Sequence, residues 1–115
     1  MMFNLNPVKE YEELMAEAER TFHVPVEYVR NAKCKRYSAD AVRGCITNVL
    51  LKICDDVYAL SDLMHMHRTS LHYHINEHAS RMETWPEYRG SFNHLEKHLF
   101  GAQKPILWRN RYKIK

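Results

Sequence analysis

The sequence predicts an all-α domain of five or six helices, and three observations carry that reading. Only 3 Gly and 4 Pro occur in 115 residues, too few for the repeated tight turns of a β-sandwich or barrel. Apolar residues recur three and four positions apart through most of the chain, the period of helices with one buried face. Hydrophobic residues make up 45% of the chain and charged residues 27%, a balance that suits one soluble domain of this length and excludes a multi-domain enzyme. The helical domain is placed at residues 1–100, with 101–115 as a basic tail.

The elements follow in order. Val8, Tyr11, Leu14, Met15, Ala18 and Phe22 fall at helical spacing, with Asn6 as N-cap and Pro7 suited to the first turn. The opposite face of this helix is rich in glutamate. Pro25 interrupts, and Val26, Tyr28 and Val29 read as a short helix or turn leading to Lys33-Cys34-Lys35-Arg36. Ser38 is the expected cap of a central core helix, in which Val42, Cys45, Ile46, Val49, Leu50 and Ile53 form the strongest amphipathic pattern in the chain. Asp55 and Asp56 end it and cap a short helix from about Val57 to Met64, with Leu60, Leu63 and Met64 inward. His65-Met66-His67 is a tight break. From Arg68 the period restarts, with Leu71, Ile75, Ala79 and Met82 expected on the packed side and Thr69, His72, Tyr73 and Asn76 on the other. Thr84 and Pro86 are expected to open a last helix to about Leu99, burying Tyr88, Phe92, Leu95 and Leu99.

Composition excludes several function classes. Gly44, Gly90 and Gly101 lie too far apart to build a phosphate-cradling loop, so no nucleotide is expected. No apolar run approaches the roughly 20 residues of a membrane span, and Met1 to Pro7 lacks the pattern of a secretion signal. An intracellular protein is expected, in a bacterial cytoplasm or, for a phage protein, that of the host. Cys34, Cys45 and Cys54 are odd in number and form no CxxC pair, in keeping with a reducing compartment. Cys45 reads as a small core residue, because nothing near it in sequence would activate its thiol.

Eight histidines are an excess, and they raise the question of metal. His74-Ile75-Asn76-Glu77-His78 matches the HxxEH pattern of inverted zinc peptidases. Such enzymes need a third ligand and a substrate cleft that this short chain has little room for, and five-residue motifs arise by chance in a His-rich sequence. His74/His78 and His94/His98 are each spaced to chelate a metal weakly. The competing reading makes His78 a satisfied interior residue and His94 and His98 surface ones. The expectation is no enzyme, no cofactor and no metal.

The net charge is +3, but it is unevenly spread. Five glutamates stand against Lys9 and Arg20 in residues 1–22, whereas Arg30, Lys33, Lys35 and Arg36 oppose Glu27 alone in 23–37. The tail carries Lys104, Arg109, Arg111, Lys113 and Lys115 without an acid. Clustered cations of this kind displace counterions from a nucleic-acid backbone, although a solvated tail has the same composition. Two helices joined by a few residues around His65-Met66-His67 read as a helix-turn-helix. The start of the second supplies His67, Arg68, Thr69, Ser70, His72 and Tyr73, short hydrogen-bonding and aromatic groups of the type that reach base edges and phosphates. Lys33, Lys35, Arg36 and Arg43 are expected to hold the DNA backbone.

The order of elements from Leu14 to Leu99 resembles the C-terminal DNA-binding domain of the bacterial replication initiator DnaA, a helical fold related to Trp repressor. The likeness rests on Phe22-His23-Val24-Pro25-Val26 after the first helix, the basic loop Lys33-Cys34-Lys35-Arg36, the helix around Arg43, the Leu60/Met64 helix, and His67-Arg68-Thr69-Ser70-Leu71. In that family the last segment reads Asp-His-Thr-Thr-Val and enters the major groove, while the basic loop reaches the adjacent minor groove. The resemblance thus implies major-groove roles for Arg68, Thr69 and Ser70, and minor-groove roles for Lys35 and Arg36. His67 and Arg68 stand where the family has Asp-His, and His65 and Met66 where it usually has glycines, so its usual DNA box is not expected here. The family's ATPase domain is not expected here. What the resemblance implies is an accessory, regulator or competitor in replication or transcription, as a small phage or mobile-element protein would be. The alternative is a module of the same fold that binds and inhibits a host replication or defence protein.

Overall fold

The computed structural model describes residues 6–31, 34 and 36–101. They form six helices and no strand: α1 (Pro7–Phe22), α2 (Val26–Arg30), α3 (Tyr37–Leu50), α4 (Val57–Met64), α5 (Arg68–Thr84) and α6 (Pro86–Phe100). The basic tail beyond Gly101 lies outside the described residues. The all-α class is therefore as the glycine and proline count and the helical period indicate.

Local signals set most boundaries. The Asn6 side chain accepts the Val8 amide at 2.9 Å and Pro7 occupies the first turn of α1, where a missing N–H costs nothing. His23 ends that helix in the left-handed region, φ 61°. Asp56 caps α4, accepting the amides of Tyr58 at 3.0 Å and Ala59 at 3.2 Å. Two expected caps are different. α3 begins one residue before Ser38, from Arg36 in extended backbone (φ −58°, ψ 138°), with no side-chain cap. Thr84 does not open α6: it closes α5, its hydroxyl donating to the Ser80 carbonyl at 2.8 Å, and Trp85 joins the two helices.

α3 is the axis of the molecule, packed against α1, α2, α5 and α6. Every residue from Ala41 to Leu50 is buried, Arg43, Thr47 and Asn48 included. The expected single apolar stripe is therefore a correction: with neighbours on all sides, its polar positions are interior as well. They are satisfied by specific partners, as buried polar groups must be. The Asn48 amide nitrogen donates to the carbonyls of Gly44 at 2.8 Å and His74 at 3.2 Å, tying α3 to α5. Cys45 lies wholly within the core and donates to the Tyr88 carbonyl at 3.7 Å; burial pushes its thiol up to about 12, so it stays protonated.

The inner face of α5 also departs from the expected one. Leu71 is buried and Ile75 and Met82 are half-buried, but Ala79 is exposed and the deepest remaining positions are His74 and Arg81. Gly44 is the cause on the α3 side. A β-carbon there would lie 2.6 Å from Arg81 Nη1 and 3.1 Å from His74 Nδ1, so glycine leaves the space that two polar side chains fill.

α1 and α6 are joined by a seam of carboxylates and imidazoles. His94 Nε2 lies 2.6 Å from Glu17 Oε2, and His98 Nε2 lies 2.8 Å from Glu13 Oε2. Thr21 donates to Glu17 at 2.9 Å, and Arg20 pairs with the same carboxylate. The His94 hydrogen bond, helped by Thr21, Arg20 and His98 and opposed by burial, lowers Glu17 to about 2. Helical spacing indicates surface positions for His94 and His98 but does not identify these carboxylates.

Candidate nucleic-acid interface

The α4–α5 pair is closed by a left-handed turn. His65 has φ 54°, and its amide donates to the Asp62 carbonyl at 3.3 Å while the Met66 amide returns to Ser61 at 3.0 Å. This is the six-to-one closure by which helices commonly end. Met66 is buried and holds the link to the core, whereas His67 is exposed and precedes α5 in extended backbone.

The first two turns of α5 bring together His67, Arg68, Thr69, Ser70, His72 and Tyr73. All are exposed except Ser70, which is half-buried. Arg68 sits over the ring of exposed Tyr58 on α4, 4.4 Å from its centroid. Tyr73 is held from beneath by Arg81, 5.3 Å from the ring centre, and lies edge-on to His74. The outward set is thus anchored at both ends by stacking.

Of the four residues expected on the DNA backbone, Lys33 and Lys35 lie outside the described residues. Arg36 is exposed and stacks on Tyr28 at 4.9 Å. Arg43 is a correction, because its side chain is only 3% exposed. Nε donates to the Val29 carbonyl at 3.1 Å, and Nη2 to the carbonyls of Tyr28 at 3.2 Å, Asn31 at 3.0 Å and Cys34. Asp40 Oδ1 lies 3.3 Å from Nη1. A guanidinium committed in this way fixes the path of the chain after α2 and does not reach out to a phosphate.

Between α3 and the start of α5 lies an open cleft of about 390 Å³, lined by Asp40, Arg43, Met66, Thr69, Ser70, Tyr73 and His74. Asp40 is its centre of charge: Oδ2 is 3.5 Å from Arg81 Nη2, and Oδ1 is 3.8 Å from His74 Nε2 in addition to the Arg43 contact. Asp40, His74, Arg81 and Tyr58 were not among the expected site residues. The i, i+3 spacing of Asp40 and Arg43 and the i, i+7 spacing of His74 and Arg81 are signals in the sequence, but nothing there shows that the two pairs meet.

The HxxEH histidines turn to different partners. His74 faces Asp40 and Arg81, while His78 Nδ1 lies 2.8 Å from the Tyr88 hydroxyl and its ring packs on Phe92. Burial lowers the His78 pKa, with Lys52 adding to the effect. Among the described residues no group of three or more His, Cys, Asp or Glu side chains is arranged to hold a metal ion, and no helix is long and apolar enough to cross a membrane. No family model, curated protein or solved structure matches the chain.

Proposed function

We propose that the chain binds double-stranded DNA, with the start of α5 in the major groove and the segment around Arg36 on the adjacent backbone or minor groove. The observation that carries this reading is the exposed set on the first two turns of α5, presented by a helix whose other face is fixed to the core. Arg68 can give two parallel donors to a guanine edge, Thr69 and His72 suit phosphate or base contacts, and Tyr73 adds an exposed phenol. On this reading α4, the His65 turn and α5 act as a helix-turn-helix of the kind seen in the C-terminal domain of DnaA. On this reading the protein acts without catalysis, cofactor or nucleotide, in the cytoplasm, as an accessory or regulator of replication or transcription, of bacterial or phage origin.

A second reading is favoured by a groove on another part of the surface, where aromatic and aliphatic side chains stand beside Ser38, Thr84 and Glu87. It has a volume of about 670 Å³ and is lined by Phe22, Val24, Val42, Trp85 and Tyr88 among others. A groove of this chemistry suits a protein partner, and the module would then inhibit a host replication or defence protein.

The test is fluorescence anisotropy with a mixed-sequence duplex across a salt series. For four to six neutralised phosphates, log affinity should fall against log salt with a slope of about −4 to −5. Absence of binding to any duplex at low ionic strength overturns the DNA reading and leaves the groove.

A further inference from the structure

We infer that Tyr58 of α4 positions Arg68 for reading a single base pair, by holding its guanidinium group over an exposed aromatic ring before DNA arrives. The inference rests on the DNA reading and adds to it a residue that sets sequence preference from outside the helix placed in the groove.

Arg68 is the first residue of α5 and is exposed. A cation there stands at the positive end of the helix dipole, and α5 has no acid in its first turn to offset it. The residue therefore contributes nothing to the helix that carries it. Among the described residues no acid pairs with Arg68. What the fold gives it instead is the ring of Tyr58, whose centroid lies 4.4 Å from the guanidinium carbon. An ion pair would commit N–H donors to a carboxylate. A cation–π contact draws on the charge of the group, and so leaves those donors available for a guanine edge.

Tyr58 is placed for this by its backbone and not by the core. Its amide is held by the Asp56 side chain at 3.0 Å, and its carbonyl accepts from Ser61 Oγ at 2.8 Å. The Tyr58 ring is 63% exposed, whereas Leu60 and Met64 of the same helix are buried. Across the turn, buried Met66 and Leu71 fix the chain on either side of Arg68. The two side chains thus meet at the surface from two anchored stretches of backbone. A free arginine side chain samples many rotamers and loses that freedom when it binds, and one already resting on a ring has less to lose. The gain is largest where the guanidinium must meet one base edge and smallest at a phosphate, which accepts it from many directions. Tyr58 therefore acts on sequence preference more than on overall affinity.

The test uses the full chain and a pool of random-sequence duplexes. Selection with the wild type gives the preferred site, and the base pair whose preference disappears in Arg68→Ala is the one that Arg68 addresses. At that base pair Tyr58→Leu should lower the preference about two- to fivefold, while Tyr58→Phe, which keeps the ring, should retain it. In the Arg68→Ala background Tyr58→Leu should change the preference no further, because the ring then has nothing to hold. In the free protein, NMR should show the Arg68 δ-protons shifted upfield by the ring, a shift kept in Tyr58→Phe and lost in Tyr58→Leu. Full preference in Tyr58→Leu, an effect of Tyr58→Leu that persists without Arg68, or unshifted Arg68 δ-protons overturns the inference and leaves the DNA reading standing. Duplex binding in which no base pair depends on Arg68 does the same. A wild type that binds no duplex overturns the DNA reading, and the positioning role falls with it.

Discussion

Arg43 illustrates how the same residue type serves opposite ends depending on where its helix lies. In sequence it stands close to a basic loop and reads as a phosphate contact. In the fold its planar group serves four carbonyls from the end of α2 and the segment that follows, together with Asp40. Lysine keeps the charge but not the planar fan of donors. Arg43→Lys should therefore leave buried carbonyls without partners and cost about 2–3 kcal/mol of stability, measured by urea unfolding. Loss of DNA affinity without loss of stability would contradict that assignment. His65 offers the opposite sign. Its φ of 54° lies where a β-carbon is unfavourable, and His65→Gly should raise stability by about 0.5–1 kcal/mol, the relief of the turn exceeding the added freedom of the unfolded chain. The denaturation midpoint should rise with an unchanged slope.

At the scale of elements, the α1–α6 seam makes stability depend on pH in a direction that can be worked out. Glu17 is lowered to about 2, chiefly by its hydrogen bond with His94, below the ordinary glutamate value of about 4.3. The folded protein thus holds this carboxylate ionised where the unfolded chain protonates it. Its contribution is fully present above the unfolded value and is lost as pH falls towards 2. Glu17→Gln should melt lower than the wild type at neutral pH, and the gap should close between about pH 5 and pH 2. A constant gap across that range would show that the carboxylate acts by packing alone. The seam also shows where sequence legibility ends. Helix existence was readable, since the period of the apolar residues and the caps at Asn6 and Asp56 are local properties of the chain. The exposed residues at the start of α5 were readable for the same reason. The pairing of Glu17 with His94, or of Asp40 with Arg81, joins residues distant in sequence, and helical spacing carries no information about which helices become neighbours. On the inner face of α5 a hydrophobic count favours Ala79 over His74 and Arg81, whereas the space at Gly44 and the partners across it decide the matter.

For the whole molecule, the distribution of charge matters more than its sum. The chain is +3 overall, and the five basic residues after Gln103 have no acid among them, so the rest of the chain carries −2. A body of net negative charge gains nothing from a polyanion at long range. On the DNA reading, attraction must come from the tail and from Arg68 at the exposed start of α5. Replacing Lys104, Arg109, Arg111, Lys113 and Lys115 with glutamine should leave the melting temperature within a few degrees, since the five side chains are charged and the described residues before them already bury a core from Tyr11 to Phe100. If all five meet phosphates, the same change should flatten the salt dependence of duplex binding by up to about 4.5 in log-log slope, near 0.9 for each phosphate no longer neutralised. On the same reading sequence preference belongs to the face of α5 and should survive in whatever binding remains. An unchanged slope would place all of the phosphate binding on the rest of the chain despite its net negative charge.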